Sequence, residues 1–270
     1  MGGDILIADC GDSAVVVKAE SANAWETVHA LADAIEAARL DGVYGIVPTY
    51  DSLLVEFDCA DTDHDTVRDA LTHEIGRLAE GPVRRLPARR FVVPVVYGGE
   101  FGPDLPVVAE QLGLTEQDVV RLHSGTDLTV RCLGAPVGAP MTDGPAFPRP
   151  VPRLASPRTS VPPGSVAVAG RQAVICPMRS PGGWPLLGRT PLRVLDLDSE
   201  PLTPYRPGDT FRFVPIAPER WHEYDGLALA AATCDEYDGL ALAATTCDEY
   251  DGLALAPDGL APVPSGGGHG

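Results

Sequence analysis

The stretch SVAVAGRQAVICPMRSPGGWPLLGRT, residues 165–190, decides the reading of this chain. It contains the apolar runs SVAVAG, QAVICPM and PLLGRT, each too short for a globular helix and each bounded by glycine or proline. RVLDL (193–197) and TFRFVPI (210–216) continue the pattern. Short strands with such turns predict a closed or nearly closed β-barrel. Within the stretch, Ser180–Thr190 reads as a shaped loop. Pro181 fixes one backbone angle, and Gly182 and Gly183 permit angles that side chains forbid. Trp184 is a large ring for a turn, so either core or ligand is expected to pack on it.

Upstream, FVVPVVYGG (91–99) and LTVRCLG (128–134) read as strands. Between them lie two short helices, DLPVVAEQLG (104–113) and TEQDVVRLHSG (115–125). Thr115 and Asp118 have the spacing of a capping box for the second. Seven prolines between Pro145 and Pro163 exclude a regular helix there.

The first eighty residues have another texture. DILIADCGDSAVVVKAE (4–20) gives two strands around a Gly11–Asp12 turn, and GVYGIVPTYDSLLVEFD (42–58) gives two more. Trp25, Val28, Leu31, Ala32 and Ile35 share one helical face, as do Val67, Leu71, Ile75 and Leu78. This predicts an α+β sandwich of the ferredoxin-like kind over residues 1–80. GPVRRLPARR (81–90) reads as a basic linker with solvated arginines, and the barrel is placed at 91–221.

From His222 onward the chain holds nine acidic and no basic residues. EYDGLALAAATCD, EYDGLALAATTCD and EYDGLALAPDGLA follow one another with Tyr224, Tyr237 and Tyr250 in register. Three copies suit a repeat array. Each copy has few bulky apolar groups, however, so burial barely offsets the ordering entropy. Residues 222–270 are therefore expected to be a disordered or loosely docked extension, or an acidic partner-binding arm, ending in a flexible PSGGGHG.

The formal net charge of −18 argues against non-specific binding to nucleic acid or anionic membranes. No run of eighteen apolar residues predicts a membrane span. MGGDILIADCGDS lacks a basic region followed by an apolar stretch, so no secretory signal is expected. The six cysteines form no CxxC pair, which suits reduced thiols in a cytoplasm. Cys10, Cys59, Cys132 and Cys176 are expected to be small buried residues. No Walker loop, GxGxxG or GxSxG occurs, and no metal site is supported. The histidine in HEIGR, His73, has no second histidine at HExxH spacing and is expected on a solvated face.

The candidate site residues lie in the barrel half. Glu100 sits among glycines in YGGEFGPDL. His123 ends a short helix, either as a cap partner or as a group that moves protons near neutral pH. Arg153, Arg158 and Arg189 offer planar forks that match a carboxylate or phosphate, or equally the chain's own carboxylates. Gly182, Gly183 and Trp184 form the loop beside them.

VPVVYGGEFGPDLPVVAEQLGLTEQDVVRLHSG (93–125), PRLASPRTSVPPGSVAVAGRQAVICPMRSPGGWPLLGRTPL (152–192) and PGDTFRFVPI (207–216) together resemble the family of 5-oxoprolinase B subunits. That family is also known as allophanate hydrolase subunit 1. It includes a sporulation kinase inhibitor and is related to the carboxyltransferase portion of urea amidolyase. The resemblance spans about residues 4–221. It implies an α+β domain followed by a cyclophilin-like β-barrel. It implies pairing with a C subunit and action with an A subunit in the ATP-dependent opening of 5-oxoproline to glutamate. The family also implies two other roles: inhibition of a sensor histidine kinase, or a part in allophanate and urea metabolism. No biotin-attachment or amidase signature supports the last. In this reading His123 is catalytic, and Glu100, Arg153, Arg158, Gly182, Gly183, Trp184 and Arg189 form a pocket wall for substrate or phosphate. One segment departs from the family's GFxPGFxY-like pattern: GAPVGAPMTDG (134–144) has Ala135 and Ala139 in place of aromatics.

Overall fold

A computed structural model describes residues 4–80 and 87–232. Its first layer pair runs β1 (Asp4–Asp9), β2 (Ala14–Glu20), α1 (Ala24–Ala38), β3 (Val43–Pro48), β4 (Ser52–Phe57) and α2 (His64–Glu80). The strands pair antiparallel in the order β1-β2-β4-β3. Alternate residues point one way, so Val15, Val17, Leu53, Val55 and Phe57 all face the helices. There they meet Val28, Leu31, Ile35, Val67 and Leu71, all nearly inaccessible. The chain order is ββαββα, which begins one strand earlier than the βαββαβ order of a ferredoxin-like sandwich.

The second half runs β5 (Arg90–Tyr97), α3 (Leu105–Leu112), α4 (Glu116–Ser124), β6 (Leu128–Gly134), β7 (Ala139–Asp143), β8 (Arg158–Val161), β9 (Ser165–Ala169), β10 (Gln172–Ile175), β11 (Ser180–Gly182), β12 (Leu186–Arg189) and β13 (Thr210–Pro215). A 3₁₀ turn at Pro218–Arg220 leads into α5 (Trp221–Tyr224). Seven strands close into a barrel in the order β10-β7-β6-β13-β5-β12-β9. Closure pairs the strands around the ring, except along the part of β5 before Val96 that β12 does not reach, and inward side chains fill the interior. Phe91, Phe211 and Phe213 form its aromatic centre with Val95, Ile175 and Leu187. Helices α3 and α4 add Val108, Leu112 and Val119 to the same core. The predicted capping box is present: Thr115 Oγ1 accepts from the Asp118 amide at 3.1 Å.

A smaller cluster lies outside this core. Ala139, Ala167, Val174 and Leu186 alternate with interior residues on their strands, so they face outward. The two-stranded β8–β11 ribbon covers them with Val161. The proline-rich passage is thus a strap over the barrel.

Several expectations are corrected. RVLDL is not a strand; Arg193 makes only an isolated bridge to Ala228. Strands β7, β8 and β11 have no local signal in the sequence: β8 and β11 are organised by each other, and β7 by its hairpin with β6 on one side and by β10 on the other. Neither Gly182 nor Gly183 takes a positive φ. Gly182 is closely packed instead: a Cβ there would lie 3.0 Å from Val161 Cγ2, so that methyl group would have to give way. Cys10 and Cys59 are exposed, in the β1–β2 turn and just after β4, while Cys132 is buried and Cys176 partly so. Arg89 and Arg90 are not solvated linker. Arg89 pairs with Asp209, and Arg90 opens β5 and pairs with Asp127. Arg84 and Arg85 lie outside the described residues.

The barrel also does not end at residue 221. The first repeat copy is docked through residue 232. Leu229 is 3% exposed within the barrel core, and the Ala232 amide donates to Arg90 O at 2.8 Å. The second and third copies, with Cys234 and Cys247, lie outside the described residues.

Candidate functional site

The turn after β5 organises the barrel's candidate residues. Gly98 and Gly99 take φ of 69° and 52°, in the left-handed region that favours glycine. This reverses the chain onto β12, where the Gly98 amide donates to Leu187 O at 3.0 Å. Gly102 lies so close to that carbonyl that a Cβ would sit 1.9 Å from it. Glu100 stands exposed at the tip of this turn.

Asp104, at the end of the turn, is buried and takes two donors. Arg158 Nη2 and the Leu186 amide each approach a carboxylate oxygen at 2.7 Å. Arg158 therefore ties the β8 strap to β12 and α3. Its Nη1 is buried and has no hydrogen-bond partner. Arg153 is exposed, with its guanidinium carbon 5.8 Å from the centroid of Trp184. Trp184 is half-buried against the outer cluster. Gly183 O accepts from the Leu154 amide at 2.8 Å, which seals the strap onto the loop. Arg153, Arg158, Gly182, Gly183 and Trp184 thus share one flank of the barrel, as a packed clasp.

His123 sits elsewhere and is a correction. It is fully buried in the barrel interior, 4.5 Å between ring centroids from Phe213. Tyr97 Oη lies 2.7 Å from its Nδ1, and its Nε2 has no partner. Burial holds its pKa down at about 3 from an ordinary 6.5. In this arrangement the imidazole is neutral, sealed from solvent and apart from the other candidate residues. Sequence spacing placed it at a helix end but could not say that this end points inward.

Arg189 closes β12 at a different recess, of about 200 Å³. Its Nε donates to Pro163 O at 2.8 Å. Its guanidinium carbon stands 5.3 Å from the centroid of Trp221. Trp221 in turn stacks on Phe101, next to Glu100, at 4.9 Å. Burial, then the nearby charge of Arg179, lowers the Arg189 pKa, partly offset by Asp225. Among the described residues, no carboxylate is within ion-pair distance of Arg189 or Arg179. The recess therefore presents a guanidinium without a direct ion-pair partner beside an indole face, with the Asp225 carboxylate also on its lining; a planar fork of this kind suits a small anion. Trp221 and Arg179 were missed in the sequence. The aromatic residue preceding the first repeat was the available signal.

A larger cleft of about 720 Å³ lies between the two layer systems. Asp33 and Glu36 of α1 and Val47 of β3 face Leu133, Gly138 and Arg206 across it. The layers are joined beside it by Trp25, whose Nε1 donates to Arg131 O at 2.7 Å. Arg131 rests on the Trp25 ring and grips Asp143 through two bonds of 2.7 and 2.9 Å. Of the two departures in the glycine segment, Ala135 is exposed near this cleft and Ala139 is buried in the outer cluster. This cleft joins residues more than a hundred positions apart, which no local pattern announces.

Comparison with known proteins bears on these surfaces. Residues 5–205 match the family of the carboxyltransferase domain, subdomain C and D. The chain is 34% identical over 231 residues to the 5-oxoprolinase B subunit of Bacillus subtilis, covering 81% of this chain and 95% of that one. It is 45% identical over 130 residues to the 5-oxoprolinase B subunit of Escherichia coli O157:H7, covering 48% of this chain and 60% of that one. The structure resembles Kluyveromyces lactis urea amidolyase with a TM-score of 0.68 at 16% identity, over 90% of this chain and 18% of that one, a likeness of fold. With a match across nearly the whole length of the Bacillus relative, this chain belongs to the 5-oxoprolinase B-subunit family of carboxyltransferase-type domains.

Proposed function

We propose that this chain is the B subunit of a cytoplasmic, ATP-dependent 5-oxoprolinase that acts with C and A subunits. In this reading its two halves are a cyclically permuted ferredoxin-like sandwich and a cyclophilin-like barrel. The observation that carries the proposal is the Arg189 recess. 5-Oxoproline is a small lactam bearing one carboxylate. The Arg189 guanidinium, without a direct ion-pair partner and flanked by Trp221, provides a charged anchor and a flat apolar wall for it, with Asp225 on the opposite side of the charge balance.

The same geometry supports a subunit that does not act alone. The barrel's own histidine is sealed in the core. The sequence has no glycine-rich phosphate loop, so the nucleotide is assigned to a partner subunit. A lactam carbonyl is a poor electrophile, and ATP activates it by phosphorylation before water adds. Arg189 then orients the substrate carboxylate, while exposed Glu100 faces the incoming partner. Arg153, Arg158, Gly182, Gly183 and Trp184 hold the barrel wall in place rather than touch substrate.

Co-expression with the candidate C and A subunits tests this. The complex supplied with 5-oxoproline and ATP is expected to form glutamate and ADP. A well-folded three-subunit complex that forms neither would remove the proposal.

A further inference from the structure

We propose that the barrel carries a peptide-binding groove whose ligand is the octapeptide EYDGLALA, and that the second copy, residues 236–243, is an alternate occupant of the groove in its own chain. The first copy, residues 223–230, shows how the ligand is held. Gly226 takes φ of 74° and turns the chain onto the segment after β12. There the Gly226 amide donates to Pro191 O at 3.2 Å. The Arg193 amide donates to Leu227 O at 2.8 Å, and the Leu229 amide donates back to Arg193 O at 2.9 Å. Ala231 then bridges Phe91 on the edge of β5. That edge is open because β12 pairs only with Val96 and Tyr97 of β5.

Most of this recognition is main-chain pairing, which is blind to sequence. One side chain supplies the apolar anchor. Leu229 is 3% exposed in the barrel core, whereas Leu227 is 54% exposed. The octapeptide recurs unchanged at 236–243 and 249–256, with Leu242 and Leu255 at the anchor position. Each copy therefore carries the turn glycine, the anchor leucine and the main-chain groups the groove uses. Beyond the octapeptide the second copy keeps Ala244 at the position of Ala231, while the third has Pro257 and then Asp258. The second copy is thus the closer match.

The exchange is a slip of one repeat. It lengthens the connection from β13 by thirteen residues, and loop-closure entropy grows only with the logarithm of length. A tethered copy sees its own groove at an effective concentration on the order of millimolar. At micromolar protein, own-chain occupancy therefore outcompetes a second molecule. The slip has a local consequence. Trp221, four residues ahead of Asp225 and bonded to it at 3.1 Å, covers Arg189 in the first register. In the second register the equivalent position is Cys234. The repeats thereby determine whether the Arg189 recess has its indole wall.

Unfolding of the full-length chain by urea, with light scattering to fix its mass, tests the groove. Three variants are compared: Leu229→Asp, the double variant Leu242→Asp/Leu255→Asp, and the triple. The double variant is expected to match the parent. Leu229→Asp is expected to lose less than tenfold in the folding equilibrium constant, because Leu242 replaces the anchor. The triple is expected to lose at least a further tenfold, or to fail to fold. The proposal is overturned if Leu229→Asp alone falls as far as the triple or does not fold. It is also overturned if the triple loses nothing, or if Leu229→Asp becomes a dimer, which would place the occupant in another molecule.

Discussion

Tyr97 Oη lies 2.7 Å from Nδ1 of His123, inside the barrel and away from every solvent path of that imidazole. The contact joins β5 to α4, and burial keeps the ring neutral. Its folded pKa is about 3, below the ordinary 6.5. The unfolded chain therefore takes up a proton as pH falls below 6.5, and the folded chain does not. Stability from this group is fully present above pH 6.5 and is lost as pH falls from 6.5 toward about 3. The limiting slope is about 1.4 kcal/mol per pH unit. Urea unfolding of the parent and His123→Gln between pH 7.5 and 5 is expected to show the variant with a shallower decline. Equal slopes would mean that His123 is solvated in solution.

Arg189 and Trp184 separate ligand binding from packing. In the assembled complex, Arg189→Ala is expected to reduce kcat/KM for 5-oxoproline by roughly 10- to 100-fold, the range of a lost charge-assisted bond. Arg189→Lys is expected to recover part of it, since an ammonium lacks the planar fork. Trp184→Ala is expected to leave KM unchanged and to lower stability by about 2–3 kcal/mol, less than a fully buried tryptophan because the ring is half-buried. A kinetic defect in Trp184→Ala at full stability would return this residue to the ligand site.

Asp209 is fully buried and gathers the start of β5 to the turn before β13. It accepts from the Arg89 amide at 2.9 Å, from Arg89 Nη2 at 2.7 Å and from the Arg206 amide at 3.0 Å. Asp209→Ala leaves the part-buried amides without their acceptor, while the half-exposed Arg89 head regains water. A loss of about 2–4 kcal/mol is expected by chemical denaturation. Asp209→Asn is expected to retain part of it, because an amide oxygen still accepts.

The chain's end is tested by truncation. Stopping after residue 232 is expected to leave the unfolding midpoint within error of the full chain. Stopping after residue 221 removes Leu229 and uncovers the β5 edge at Phe91. A loss of about 2–5 kcal/mol is expected. Equal midpoints for the two truncations would show that the docked strap contributes nothing.

The site was only partly legible in advance. The arginines, the glycine loop and Trp184 were identifiable by residue type, but type does not give direction. Arg158 turned to Asp104 and became a structural pair, and Arg153 lay on Trp184. Arg189 alone of the predicted arginines faces a recess without a direct ion-pair partner. Trp221, which makes that recess useful, lay at the edge of a segment whose composition argued against packing.

The sequence by itself determined the elements with strong period: β1 to β4 by alternation, α1 to α4 by helical stripe and cap, and β5, β9, β10 and β13 as short apolar runs. Those signals are local, since a side chain's position along a strand or helix fixes its face. Only the tertiary structure decided the rest. The strands β8 and β11 exist because each satisfies the other's backbone groups, and β7 because β10 pairs with the side that its hairpin with β6 leaves open. His123 is sealed from solvent because α4 turns it into the core. Leu229 is buried because the segment after β12 pairs with its backbone and the barrel core takes its side chain, while Ala231 and Ala232 fill the edge of β5 that β12 leaves. In each case the deciding energy lies in burial and pairing between residues far apart in the chain, which no window of sequence contains.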